Sequence, residues 1–221
     1  MATVSLQDIK ANPLIKAFIV GGNAHLEAMG FTDHGPSHIG LVSRLSEGVI
    51  TSLGGDSREA ELAAIAGYMH DIGNVINREG HSQAGAAMAI NILNGLGMPT
   101  AEVAIIAGAI GNHDEGSGHP VSRVAAALIL ADKSHVHRGR VRNHDVATFD
   151  IHDRVNYAVN DSELVIDGES HRITMRLTID NTICPVMEYF EIFLARMLMC
   201  RRAASYLGCQ FELIINGAKL L

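Results

Sequence analysis

Over roughly the first 140 residues, apolar positions recur at spacings of three and four, and this period predicts a series of amphipathic helices. Ser5-Leu6-Gln7-Asp8 reads as a capping box. Asn12-Pro13 places a cap before a proline at the first helical position, and the helix it opens should end at Gly30. Pro36 opens a helix with His38, Leu41, Val42, Leu45 and Val49 on one face, ended by Gly54-Gly55. Asp56, with Glu59 three residues on, caps a helix whose stripe is Leu62, Ile65, Ala66, Met69 and His70, stopping at Gly73. Further stripes run from His81 to Gly95, through Val103, Ile106, Ile110 and His113, and from Pro120 through Val121, Val124, Ala125, Leu128 and Asp132. All are short enough for a compact helical bundle.

Beyond about residue 145 the period changes. HDRVNYAV reads as a last helical turn, and SELVIDGESHRITMRLTI alternates on both sides of Asp167-Gly168, as a β-hairpin does. A long helix from Pro185 to Leu207 carries Phe190, Phe193, Leu194, Met197 and Leu198, and QFELII after Gly208 reads as a third strand. The methionines from Met187 to Met199 read as core packing. The expected fold is mostly α: a helical bundle over residues 1–142 and a small C-terminal α+β lobe over 143–221, packed on it.

Composition narrows the function. With 48% apolar and 19% charged residues, 221 residues suffice for one good core. A formal charge of −7 argues against general nucleic-acid binding, which needs a basic footprint. Cys184, Cys200 and Cys209 are an odd set without metal spacing and read as core thiols in a reducing compartment. With no signal-like N-terminus and no apolar run of about 18 residues, no membrane is expected and the predicted location is cytoplasmic.

Several stripes carry a coordinating residue where an aliphatic one belongs: His38, His70 with Asp71, His81, His113 and Asp132. A single histidine on an apolar face is more often a satisfied core residue. Asp132 is different, because an ionised carboxylate inside AALILADK needs a cation or strong donor beside it. Imidazole and carboxylate suit borderline divalent ions, and no thiolate is placed for a closed structural zinc site. The set divides into a two-metal centre. Asp71 offers one oxygen to each ion, His38, His70 and Asp132 complete the first, and His81 and His113 serve the second.

HIGLV opening a helix, MHDIGN closing one, GHSQAGAAMA opening the next, then IGNHDE and ILADKS, give the order H…HD…H…H…D. This resembles the HD superfamily of metal-dependent phosphohydrolases over about residues 30–142. The resemblance implies His38, His70, Asp71 and Asp132 as core ligands, and His81 with His113 suggests the binuclear branch. Three positions depart from it. Asn74 stands where many members have lysine, Asp114 replaces the second residue of a frequent His-His pair, and the signature of the cyclic-di-GMP phosphodiesterases is absent.

The implied activity is hydrolysis of a phosphate ester, a nucleotide or other small phosphomonoester, by metal-activated hydroxide. The cofactors would be two divalent transition ions, Fe or Mn first, with Co, Ni or Zn as alternatives. Asp71 would be catalytic, and His34 or His135 could protonate the leaving oxygen or orient the substrate. His34 falls four residues before His38, on its face if the helix starts early. Lys133, Arg138 and Arg140 read either as a solvated basic face or as the grip on an anionic substrate. Two other readings use the same residues: a di-iron HD-fold oxygenase acting on a polyol or phosphonate, and a regulatory ligand-sensing module. Exposed strand edges and the apolar Pro185–Leu207 helix predict a homodimer.

Overall fold

The computed structural model describes residues 3–221. The described residues form nine α-helices and a four-stranded sheet. The helices are α1 (Leu6–Ala11), α2 (Pro13–Ala28), α3 (Pro36–Ser52), α4 (Ser57–Met69), α5 (His81–Gly95), α6 (Thr100–Gly111), α7 (Arg123–Ser134), α8 (Ile151–Ala158) and α9 (Val186–Tyr206). The strands are β1 (Val159–Asp167), β2 (Arg172–Ile179), β3 (Gln210–Ile215) and β4 (Ala218–Lys219). No described helix is long and apolar enough to cross a membrane.

The expected starts of the early helices are made by local hydrogen bonds. Ser5 and Asp8 close the capping box, Asn12 Oδ1 accepts from Leu14 and Ile15, and Asp56 accepts from Arg58 and Glu59. The start of α7 differs. Ser122, not the region of Pro120, caps it by accepting from Ala125 N, which leaves Val121 outside the helix and exposed.

Every residue of α7 from Val124 to Ala131 is buried, because α3, α4, α6 and α9 all pack on it. A helix apolar on all sides belongs at the centre of a bundle. Its run of alanines lets neighbouring helices come close, and the same economy appears where α4 crosses α3. A Cβ on Gly67 would meet Ser43 Cα at 2.9 Å.

The hairpin forms as expected, with β1 antiparallel to β2 and a register irregularity between Val159 and Asp161. The connection through α9 then sets β3 parallel to β2, and β4, too short to show in the sequence pattern, finishes the sheet antiparallel to β3. The segment HDRVNYAV is more than a last turn. It supplies most of the eight-residue α8, capped by Asp150. One continuous core links bundle residues such as Ile65 and Leu128 to Phe193, Met197 and Leu213. The three cysteines are buried and free. The methionines of α9 divide: Met197 and Met199 are buried, whereas Met187, on its first turn, is 67% exposed.

Candidate metal centre

Helix ends meet at one pole of the bundle, and the coordinating residues sit on them. His38 lies in the first turn of α3, Asp132 in the last turn of α7, and His81 is the first residue of α5. His70 caps the end of α4, and His113 follows the cap of α6. Asp71 sits between α4 and a short 3-10 turn, Ile72–Val75, at φ −99° and ψ 4°, a sparsely populated conformation frequent in active sites. Gly73 makes the junction possible, since a Cβ there would meet His81 O at 2.0 Å.

The two oxygens of Asp71 face different partners. Oδ2 lies 3.3 Å from His70 Nε2 and 3.8 Å from His38 Nε2, and these imidazoles stand 3.7 and 3.3 Å from Asp132 Oδ1. Oδ1 lies 3.6 Å from His81 Nε2 and 3.8 Å from His113 Nε2. Every donor atom within each of three overlapping triads, His38-His70-Asp71, His70-His113-Asp132 and Asp71-His81-His113, is within 4.8 Å of the others.

The second ring nitrogens decide what the first can do. His70, His81 and His113 direct Nδ1 at the carbonyls of Gly67, Arg78 and Ile110, at 2.8, 2.9 and 2.7 Å. A carbonyl only accepts, so Nδ1 carries the proton and Nε2 is left as a lone pair. His38 Nδ1 meets His135 Nδ1 at 2.9 Å, which makes His135 the partner that orients His38. Nε2 of His38 and of His70 is buried without a hydrogen-bond partner, and the Nε2 atoms of His81 and His113 face each other at 3.1 Å. Buried lone pairs converging on two carboxylates are what a cation would satisfy, so the residues fit a metal.

Electrostatics agree. Burial, aided by Arg140, holds His38 down to about 4, and burial beside His70 holds His113 down to about 3, so both are neutral in the form that ligates. For His70 burial is the largest influence and acts downward, but Asp71, Asp132 and the Gly67 carbonyl together outweigh it and raise the group. Burial alone would raise Asp71 and Asp132, yet His70 beside the first and Lys133 beside the second hold both well below the carboxylate range.

The flanking residues separate. Lys133 is 4% exposed, 2.8 Å from Asp132 Oδ2 and 2.6 Å from Glu115 Oε2, and Arg140 is 6% exposed, so neither belongs to a solvated face. Arg138 turns away from the ligands: it donates to Tyr157 O at 3.0 Å and stacks on that ring. His34 is outside α3, which Pro36 starts, yet its ring is edge-on to His38 with centroids 5.4 Å apart. Its Nδ1 donates to Thr32 O. Asn74 donates Nδ2 to Asp71 Oδ1 at 2.8 Å and to Asp71 O at 3.0 Å.

Beside the ligands is a recess of about 10 Å³, lined by His34, Arg78, Arg140 and Arg196 among others. The same four residues also line a cavity of about 340 Å³ that reaches Phe31, Asp150, Asp153 and Phe193. Arg78, Glu115 and Arg196 escape sequence reasoning. The one available signal was Arg196, a charge inside the apolar run FLARMLM.

Residues 37–137 match the family model of the HD domain, and the clustered His and Asp side chains of that segment are consistent with the metal site of such a domain. No curated protein matches the chain. The matched segment contains all six clustered His and Asp residues and ends before Arg140 and Arg196.

Proposed function

We propose that this protein hydrolyses a phosphate monoester at a centre of two divalent transition ions. The observation that carries the reading is the division of Asp71, whose Oδ2 faces His38 and His70 while Oδ1 faces His81 and His113. His38, His70, Asp71 and Asp132 would hold one ion, and Asp71, His81 and His113 the other. Bound there, such ions supply positive charge for the phosphoryl oxygens and lower the pKa of water toward neutrality.

The chain's own groups have distinct tasks. Asn74 fixes the plane of the Asp71 carboxylate, and the Nδ1 contacts of His70, His81 and His113 fix their rings. His135 orients His38 and, with its pKa lowered by burial and Arg140, is neutral and a poor proton donor. His34 presents Nε2 as an acceptor, because its Nδ1 proton is given to Thr32 O. It therefore orients a hydroxyl or water at the recess rather than protonating a leaving group. Lys133 balances Asp132 and Glu115, and Arg140 faces the substrate.

The test is anaerobic purification, metal loading and a screen of phosphate esters for phosphate release, with oxygen uptake measured in parallel. Phosphate release that disappears in folded Asp71→Ala supports the reading. Oxygen consumption without ester hydrolysis overturns it in favour of the oxygenase.

A further inference from the structure

Arg196 reaches the recess from α9, far outside the matched segment, and its fork is fixed before any ligand arrives. Its Nε donates to Glu115 Oε1 at 2.8 Å, and its guanidinium lies over Phe193, 4.5 Å from the ring centroid. Glu115 is itself held by Lys133 at 2.6 Å, and Lys133 by Asp132 at 2.8 Å. With Nε committed, both Nη groups remain, and among the described residues neither donates to a protein atom. Arg140, which lines the same recess, is set in the same way. Nε donates to Asp33 O at 2.9 Å and Nη1 to His135 O at 2.8 Å, while Nη2 is buried with no partner. A donor left over on a guanidinium that is 6% exposed, on a residue lining the recess, is free to meet an acceptor that enters there.

Both arginines line the recess and the larger cavity, so they stand where the two meet. A recess of about 10 Å³ has room for little more than a water, which leaves a phosphoryl group at that junction. One chamber of about 340 Å³ then receives whatever the phosphate carries.

On the reading of the metal centre given above, we propose that Arg196 and Arg140 form a guanidinium clamp for the phosphate of a dianionic monoester. Its single organic substituent, of nucleoside size or smaller, occupies the 340 Å³ cavity. Arg196 is a substrate-binding residue, and Glu115 is the positioning residue that holds its fork. Two fixed cations match a dianion, and a diester brings one charge fewer.

The experiment is calorimetry on the intact metal-loaded protein, with inorganic phosphate, phenyl phosphate and dimethyl phosphate as probes. Wild type should bind the first two and bind dimethyl phosphate at least about tenfold more weakly, as expected for losing a charge-assisted contact. Arg196→Gln should weaken phosphate and phenyl phosphate about ten- to a hundredfold with unchanged metal content, and raise KM with kcat little altered. Arg196→Lys should recover little of this, because an ammonium cannot stay on Glu115 and still present two donors. If Arg196→Gln folds poorly, Glu115→Gln keeps the arginine but frees it, and should raise KM without lowering kcat in proportion. A folded Arg196→Gln that binds phosphate like wild type, or equal binding of the monoester and the diester, overturns the clamp. Wild type that hydrolyses monoesters alongside such a variant leaves the metal reading intact. Wild type that binds no phosphate and hydrolyses no ester overturns both.

Discussion

Replacing Asn74 by alanine removes two hydrogen bonds that fix the carboxylate at the middle of the His and Asp cluster. The side chain is 1% exposed, and its Nδ2 donates to Asp71 Oδ1 at 2.8 Å and to Asp71 O at 3.0 Å. A hydrogen bond to a charged acceptor contributes about 1.5–3 kcal/mol, and every 1.4 kcal/mol is about tenfold in an equilibrium constant. If Asp71 must find its bridging orientation without that donor, metal affinity should fall about ten- to a hundredfold, the range typical for lost partners of metal ligands. The loss should be greater for the ion on the Oδ1 side, beside His81 and His113, because that oxygen loses its donor. Titration with a competing chelator measures it, with circular dichroism to verify folding. Asn74→Ala protein with wild-type affinity for both ions would refute the reasoning, since Asp71 would then be oriented by something else.

Gly73→Ala should be more damaging than its size suggests. The new Cβ would lie 2.0 Å from His81 O and 2.5 Å from Gly85 N, and backbone atoms of α5 cannot yield as a side chain can. A fall in thermal midpoint together with loss of metal is expected, and a variant with wild-type melting and metal content would contradict the packing described. The basic run should split kinetically once turnover is found. Arg140→Gln raises KM, whereas Arg138→Gln, whose side chain stacks on Tyr157 and lines neither the recess nor the cavity, leaves KM and its salt dependence at wild-type values.

The clustering of these His and Asp residues was legible because each of them interrupts a helical period or ends it, and an aspartate in AALILADK has no apolar explanation. Helix ends were less so. Proline at position 36 moves His34 out of α3, and Ser122 rather than Pro120 starts α7, since a side-chain cap outweighs a residue that merely tolerates the first turn. The Lys133 to Arg140 run could not be divided from sequence, because burial of Lys133 depends on Glu115 and that of Arg140 on the carbonyls of Asp33 and His135. Arg196 meets Glu115 across 81 positions, a contact made by the packing of α9 on α7, which no local period encodes.

Metal analysis of wild type beside His81→Ala tests the central claim, that Asp71 stands between two ions, most directly. His81 serves only the Oδ1 side of that carboxylate, and His38, His70 and Asp132 are untouched by its removal. The account predicts close to two transition ions per chain in wild type and close to one in the variant. One ion in both, with equal affinity, would contradict it.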